Sequence, residues 1–378
     1  MLYHDHVLIR SDWPDGIIVM KILGLVVILL LIAPFAGAKD DASREGGHPD
    51  FSGTYNVATL TPFQRPQEFG DNLELTPERA NAIMALAKER VAARTRNRGP
   101  VTNAPPEGGA PPIGVGDEFR ESSGAGNVGG YNNFWVDPGS DVFMIDGKFR
   151  TSILTEPKNG QMPGMTKAAM AQMMTRRQLR RPNDGTAWWL TIEGEGPYDG
   201  PEMLGISERC ILGFTGATPT FPSLYNNFKR IVQTEDHVMI LIEMVHDARI
   251  VRMNSEHQSS RMRQWLGDSI GWWEDDTLVV DTVNFHPKTR PGRGGSENAH
   301  VVERFSQLED GNLLYRFTVE DPSVWTGPWS GEYVWQASDD RVYEYACHEG
   351  NYSMGGILRG ARLLETEAMG GLNPGNSR

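Results

Sequence analysis

Three stretches in the C-terminal half of the chain each contain two alternating apolar segments joined by a polar turn. They read "GWWEDDTLVVDTVNF", "ERFSQLEDGNLLYRFTVEDP" and "SGEYVWQASDDRVYEYACHE". Their turns are predicted at Glu274–Asp276, at Asp310–Gly311 and near Ser338–Asp340. Consecutive hairpins without helices between them pair in the antiparallel sense. A meander of this length is expected to close into a barrel, because closure removes the exposed strand edges.

The sequence therefore predicts a mainly β protein, an antiparallel β-barrel with a lipocalin-like meander. Residues 51–378 are interpreted as one domain, with the barrel drawn chiefly from residues 205–360. The stretch "FSGTY", residues 51–55, supplies a further strand, since an aromatic residue and a Ser-Gly turn lead into an alternating segment. A composition of 39% hydrophobic and 22% charged residues is that of a chain with a packed core.

Two helices and a long loop are predicted as an insertion at about residues 72–182. The first helix covers residues 76–94, where Thr76 can cap the first turn. The second helix covers residues 166–181. Between the helices, residues 98–130 are dominated by proline and glycine, which is typical of an irregular loop.

The N-terminal segment "MKILGLVVILLLIAPFAGA", residues 20–38, has the pattern of a secretory signal peptide. Lys21 supplies the positive charge, and the apolar run is shorter than the stretch of about 20 residues that spans a bilayer. Ala36–Ala38 fit a cleavage site. An uncleaved N-terminal anchor is the alternative interpretation.

Residues 1–19 do not resemble the start of a signal peptide, so translation is expected to begin at Met20. Residues 1–38 are thus read as an N-terminal extension plus a signal peptide, and the polar residues 39–50 as a flexible mature N-terminus. The protein is expected in the periplasm or outside the cell, with no stable membrane span after cleavage.

Cys210 and Cys347 are the only cysteines of the chain. An even number of cysteines in an exported protein favours a disulfide between them, and two separate buried thiols are the alternative. The net charge of −13 argues against a nucleic-acid partner, which would require a basic surface.

Histidines and glutamates in the predicted barrel are the candidates for a functional site, because none of the nine histidines lies between residues 49 and 236. If "RVYEYACHE" is a strand, Glu344 and His348 share one of its faces. If "VMILIEMVH" is a strand, His246 shares a face with Ile242 and Met244, and Glu243 points the other way.

The segment "SENAHVVERF" can be read in two ways. A helix would place His300, Glu303 and Arg304 on one face, whereas a strand would place Glu303 opposite the other two.

Three interpretations of these residues remain open. The first is a divalent metal site formed by His246, His300 and His348 with Glu344 or Glu303 as the carboxylate, although no HExxH motif is present. The second is an enzyme, a hydrolase, lyase or isomerase, that uses His300, His348, Glu344 and His246 for metal-free acid–base chemistry. In this interpretation Arg249, Arg263 or Arg304 holds an anionic substrate. In the third, the polar residues tie strand ends together and the barrel binds a ligand or an envelope partner without chemistry.

The lead prediction is an exported protein that binds a small molecule, aromatic or apolar in character, in a cavity with a polar His/Glu cluster. Six tryptophans in the C-terminal half are compatible with an apolar pocket, although for each one core packing is the simpler explanation. No cofactor is identified by any motif.

Several segments together resemble a functionally uncharacterised family of exported bacterial proteins, over most of the chain after about residue 130. They are "GISERCILGF", "YNNFKRIVQTEDHVMILIEMVHDARIV", "RQWLGDSIGWWEDDTLVVDTVNF", "SENAHVVERF" and "YEYACHEGNYSMGGILRGAR". The resemblance implies a bacterial origin, export and a β-rich, lipocalin-like fold, and it supplies no catalytic residue. Asp275 departs from the family, whose members have glycine in this turn.

Overall fold

Nine strands close into a barrel in the computed structural model, which describes residues 44–45, 47–95, 137–179, 181, 184–213 and 218–370. The strands are β1 Arg44–Glu45, β2 His48–Pro49, β3 Gly53–Asn56, β4 Glu74–Leu75, β5 Met144–Ile145, β6 Lys148–Arg150, β7 Leu154–Glu156, β8 Phe228–Gln233, β9 His237–Ile242, β10 Asp247–Met253, β11 Asp268–Glu274, β12 Thr277–Val283, β13 His300–Gln307, β14 Leu313–Glu320 and β15 Trp329–Ser338. The helices are α1 Pro77–Thr95, α2 Lys167–Gln178, α3 Pro291–Gly294 and α4 Tyr352–Ala368. Short 3-10 turns occur at Gln67–Phe69, Trp188–Thr191, Pro201–Met203 and Met244–His246.

The barrel runs from β3 through β8 to β15 in chain order and returns from β15 to β3. Every neighbouring pair is antiparallel except β10 and β11, which pair in parallel with Val251 opposite Ser269. A closed ring with an odd number of strands cannot alternate in direction throughout, so nine strands require at least one parallel contact. The prediction of a mainly β protein with an antiparallel β-barrel is confirmed, with the difference that the pair of β10 and β11 makes the barrel mixed.

The parallel contact arises at the connection between β10 and β11, whereas the longer connection of residues 284–299, between β12 and β13, joins an antiparallel pair. Residues 254–267 lead from the end of β10 back to the start of β11. Parallel neighbours need a crossover of about a dozen residues or more, whereas a hairpin turn produces an antiparallel pair. The connection is loop-like in sequence, and sequence reasoning did not assign it a direction.

Two of the three predicted hairpins are confirmed. Strands β11 and β12 turn at Asp275 and Asp276, and Asp275 adopts a φ of 52°, which glycine tolerates more easily. Strands β13 and β14 turn at residues 308–312.

The third hairpin is wrong, because β15 ends at Ser338 and the described residues 339–351 contain no strand. Helix α4 follows, which the sequence interpretation did not include. The segment "VMILIEMVH", residues 238–246, is not a strand throughout, because β9 ends at Ile242 and residues 243–246 form the turn to β10.

Large side chains pack the barrel interior, where alternate residues of each strand point inward. The largest fully buried ones in the core are Trp329, Trp335, Tyr315, Tyr333, Phe51, Phe285, Phe305 and Phe317. Several rings contact one another, as do Trp335 and Tyr315 at a centroid distance of 5.1 Å. The centre of the barrel is therefore a packed aromatic core.

The chain leaves the barrel after β3 and returns at β8. This excursion contains the two predicted helices, α1 and α2, and the small sheet of β4, β6 and β5. Strand β7 lies against β15 outside the ring. The proline- and glycine-rich segment 98–130 and the predicted signal peptide, residues 20–38, lie outside the described residues.

Candidate functional site

An open groove of about 800 Å³ lies on the outer wall of the barrel. Its floor is formed by outward-facing residues of three adjacent strands, Thr54 on β3, Arg230 on β8 and Leu241 on β9. His246, in the turn after β9, also contributes. The opposite wall is the segment from Ser338 to Glu344, which follows β15.

Several polar side chains of the groove form no hydrogen bond or ion pair with the described residues. Arg230, His246, Arg341 and Glu344 are exposed and form no side-chain hydrogen bond or ion pair with any residue in the described ranges. Leu241 and the exposed ring of Tyr343 add apolar surface beside them. The groove thus places apolar surface beside charged groups of both signs, so it can contact both an apolar body and a polar group of a ligand.

The disulfide Cys210–Cys347 anchors the wall of the groove, as the sequence predicted for these two cysteines. Tyr345 and Cys347 pack against the turn between β9 and β10. The backbone N–H of Tyr343 donates to Oε1 of the buried Glu243 at 3.4 Å. The segment 338–347 is therefore held at both ends, by β15 and by the disulfide.

Three buried charges lie beneath this turn, on the inner side of the wall. Lys229 is fully buried, and its Nζ donates to the Asn226 carbonyl at 3.4 Å. Burial lowers the pKa of Lys229 to about 8, opposed by the charges of Glu243 and Asp247. Burial also raises the pKa of Asp247 to about 6, although this carboxylate accepts a hydrogen bond from the Gly213 N–H at 3.0 Å.

A second polar cluster crosses the outer face of strands β11 to β14. The ring of His257, in the loop after β10, bridges two carboxylates: Nδ1 lies 3.1 Å from Asp268 Oδ2 and Nε2 lies 2.9 Å from Asp281 Oδ1. The other oxygen of Asp281 lies 2.8 Å from Nε2 of His300. Nδ1 of His300 lies 3.9 Å from Glu320, beyond hydrogen-bonding distance.

Hydrogen bonding governs the charges of this His–Asp chain. Burial alone would raise the pKa of Asp281, but the hydrogen bonds from His300 and His257 outweigh it and the pKa is lowered. The hydrogen bond to Asp281 raises the pKa of His300. The chain therefore favours an ionised Asp281 beside a protonated His300, whose Nδ1 faces Glu320 and solvent.

A third cluster is entirely buried inside the barrel. Glu303 accepts from both terminal nitrogens of Arg249 and, at 2.6 Å, from the hydroxyl of Tyr315. Burial would lower the pKa of Arg249, but the charge and hydrogen bonds of Glu303 raise it. This network neutralises its own charges and contacts no groove, so we interpret it as structural.

The predicted site residues are distributed over these places. His246 and Glu344 line the groove, whereas His300 belongs to the His–Asp chain. Glu303 is in the buried cluster, and Arg304 pairs with Glu274 on the outer face. His348 is exposed in the turn before α4.

The three histidines therefore do not converge in the barrel interior. Strand β9 ends at Ile242, before His246. The segment "YEYACHE" is not a strand, so Glu344 and His348 do not alternate toward the core. In contrast, the strand interpretation of "HVVERF" is confirmed, with Glu303 inward and Arg304 outward.

The other two predicted arginines do not reach the groove. Arg249 is committed to Glu303, and Arg263 donates to the carbonyls of Phe285 and Glu297. Among the described residues, no group of three or more His, Cys, Asp or Glu side chains is arranged to hold a metal ion. No helix within the described part of the chain has the length and apolar character to span a membrane.

Sequence reasoning missed His257, Asp268 and Asp281 as a set. One signal was available: Asp281 interrupts the apolar run of a strand that was predicted correctly, and a carboxylate on such a strand needs a partner. Its partners come from a loop and from the neighbouring strand, so the set becomes visible only once the strands are paired.

Comparison with known proteins adds no assignment. No protein-family model matches the chain. A search of curated proteins found no matching relative.

Proposed function

We propose that this protein binds a small molecule in the groove on the outer wall of the barrel. The observation that carries the proposal is a set of polar side chains that form no hydrogen bond or ion pair with the described residues, Arg230, His246, Arg341 and Glu344, in one concavity of about 800 Å³ with Leu241. This volume is within the range of about 300–1,000 Å³ that is usual for ligand sites. The packed aromatic core makes the groove a better candidate than the barrel interior.

Tyr343 and Arg230 favour a ligand with an aromatic or apolar body and an acidic group, although Asp339, Asp340 and Glu344 line the opposite wall. Tyr343 is 69% exposed, so its ring is available for stacking. Arg230 projects from a strand that is paired on both sides, so its backbone is fixed and its guanidinium can form charge-assisted hydrogen bonds to a carboxylate or sulfonate.

We also propose that the protein is exported to the periplasm or beyond. The disulfide Cys210–Cys347 supports this proposal, because structural disulfides persist mainly in oxidising compartments.

The test uses 8-anilinonaphthalene-1-sulfonate, an aromatic sulfonate whose fluorescence rises in apolar sites. We expect saturable binding with one site per chain. Leu241→Trp, which fills the floor of the groove, should abolish it. Arg230→Met should weaken it about tenfold, because one charge-assisted hydrogen bond is lost.

Ile250→Trp is the matched control, since Ile250 is 49% exposed on the outer face of the adjacent strand β10 and does not line the groove. This variant should bind the probe as the wild type does. Equal binding by wild type and Leu241→Trp would refute the groove as the site.

The His–Asp chain favours a second candidate function, acid–base catalysis by His300. Asp281 holds Nε2 of its ring, while Nδ1 lies 3.9 Å from Glu320 on a side chain that is 39% exposed. An imidazole oriented by a carboxylate is the usual arrangement of a general acid or base.

A panel of 4-nitrophenyl esters, phosphates and glycosides tests this second candidate. Turnover that is lost in His300→Gln and retained in His348→Gln, whose side chain is exposed elsewhere, would support it. Turnover that is unchanged in His300→Gln, or no turnover of any of these substrates, would remove it in favour of the binding function.

A further inference from the structure

Helix α2 is almost entirely exposed. Of its residues Lys167–Gln178, only Ala169 is buried. An isolated helix of this length is marginally stable in water, and helices in proteins normally gain their stability by packing an apolar face. The helix thus lacks a covered face among the described residues.

Contacts at its two ends hold this helix in place. At the N-terminus, Thr166 caps the helix through the Ala169 N–H at 3.2 Å, and its own hydroxyl donates to the Ser323 carbonyl at 2.9 Å. Just beyond the C-terminus, the guanidinium of Arg181 lies 4.7 Å from the ring centroid of Trp188. The middle of the helix is exposed and forms a ridge that none of the described residues covers.

An apolar stripe follows one side of this ridge. Met170, Met173 and Met174 are 43%, 40% and 53% exposed, and their spacing of three and four residues places them on one face. Arg177 continues the same face one turn later. Flexible methionine side chains adapt to irregular apolar surroundings.

The charge of this segment is opposite to that of the whole chain. Residues 166–181 contain five basic and no acidic residues, whereas the chain carries a net charge of −13. Burial lowers the pKa of Arg290, and the nearby positive charge of Arg176 lowers it further. An anionic surface would therefore attract this ridge and repel most of the remaining molecule.

We propose that helix α2 docks the protein on the surface of an anionic lipid bilayer. A helix lying in the interface inserts apolar side chains at the headgroup boundary and pairs its basic residues with anionic lipids. The exposed methionines and the adjacent basic residues of α2 fit an anionic bilayer, which offers an apolar boundary beside negative headgroups. The proposal does not depend on the groove or on the His–Asp chain.

Co-sedimentation of the full chain with vesicles tests the proposal. We expect binding to vesicles of phosphatidylcholine with about 30% phosphatidylglycerol, and little binding to phosphatidylcholine alone. Binding should fall steeply at high salt because the attraction between basic residues and headgroups is screened. Met173→Gln with Met174→Gln should lower the partition coefficient about tenfold, and Arg176→Gln with Arg177→Gln should do the same.

The control is Met144→Gln with Met262→Gln, since both of these methionines are exposed and lie off α2. Glutamine keeps the helix propensity of methionine, and circular dichroism verifies that each variant is folded. Three results would overturn the proposal. They are no binding to anionic vesicles, equal binding by the α2 variants, or self-association of the wild type that the α2 variants abolish, which would identify a second copy as the occupant.

Discussion

Two consecutive residues, Glu303 and Arg304, have opposite roles because successive side chains of a strand point to opposite faces. Glu303 points into the barrel and is fully buried with Arg249 and Tyr315. Arg304 points outward and pairs with Glu274, and both of these side chains are more than 40% exposed. The two Arg–Glu ion pairs at these adjacent positions therefore contribute differently to the free energy of unfolding.

Glu303→Gln should destabilise the protein by about 3–5 kcal/mol, because it leaves the charge of Arg249 buried without a counter-ion. Arg304→Gln should lower the free energy of unfolding much less, since solvent screens the exposed ion pair of Arg304 with Glu274. Urea unfolding followed by tryptophan fluorescence measures both changes. A similar loss of free energy of unfolding in the two variants would contradict this assignment of faces.

The pair Asp281–His300 should make stability depend on pH in a defined window. Because the pKa of His300 is raised, the protonated ring contributes fully to the free energy of unfolding below the usual imidazole pKa of 6.5. This contribution is lost as the pH rises through the raised pKa. Because the pKa of Asp281 is lowered, the ionised carboxylate contributes fully to the free energy of unfolding above the usual pKa of 3.8. This contribution is lost as the pH falls through the lowered pKa. Both contributions are complete between about pH 4 and 6.5.

Asp281→Asn should therefore destabilise the protein more at pH 5.5 than at pH 9. Urea unfolding of wild type and variant at the two pH values measures the difference. Glu309→Gln, in the exposed loop between β13 and β14, serves as the control and should show no such pH dependence. A loss that is equal at both pH values would show that the link between these side chains is not ionic.

At the scale of elements, β15 is the strand on which the barrel depends most. It pairs with β14 along most of its length, with β3 at its end and with β7 near its start. At the β7 contact, Gly331 lies so close to its neighbours that a Cβ there would be 2.5 Å from the Phe317 ring and 2.8 Å from the Ile153 carbonyl oxygen. The absence of a side chain at this position is what permits the approach of β7.

Gly331→Ala should destabilise the protein by about 1–3 kcal/mol through overpacking. Gly327→Ala is the matched control, because a Cβ at Gly327 would have no neighbour within 4 Å. Thermal and urea unfolding of both variants measure the effect. If Gly331→Ala were as stable as Gly327→Ala, the close approach of β7 would not occur.

At the scale of the whole molecule, the disulfide links two distant parts of the chain across the outside of the barrel. Cys210 precedes β8, Cys347 follows β15, and 137 positions separate them. A cross-link over so long a loop restricts the unfolded chain strongly. It also holds the segment that forms one wall of the groove.

Cys210→Ser with Cys347→Ser should lower the free energy of unfolding by about 2–5 kcal/mol. Urea unfolding of the wild type with dithiothreitol should reproduce this loss, and dithiothreitol should leave the double variant unchanged. Binding of 8-anilinonaphthalene-1-sulfonate should weaken as well, because the groove loses a fixed wall. Undiminished stability in the double variant would show that the bridge is not a structural cross-link.

What the sequence determined by itself are the features that depend on neighbouring residues. Alternation and turn residues predicted the hairpins at Asp275 and Asp310, and a cap at Thr76 supported the prediction of α1. Residues 166–181 were predicted as the helix that α2 forms, and the count of two cysteines predicted their pairing. Each of these predictions depends on interactions within a few residues or on the even number of cysteines, so no knowledge of distant contacts is needed.

Only the tertiary structure decided where strands end, how the ring closes and which polar residues meet. The parallel contact of β10 and β11 follows from the closure of an odd ring, and no local pattern encodes it. Strand β9 ends before His246, and no strand follows β15 up to His348. These two histidines therefore do not lie on strands, as the sequence pattern had suggested. Asp281 contacts His257 and His300 because the pairing of strands brings these side chains together. Their spacing along the chain does not reveal this contact.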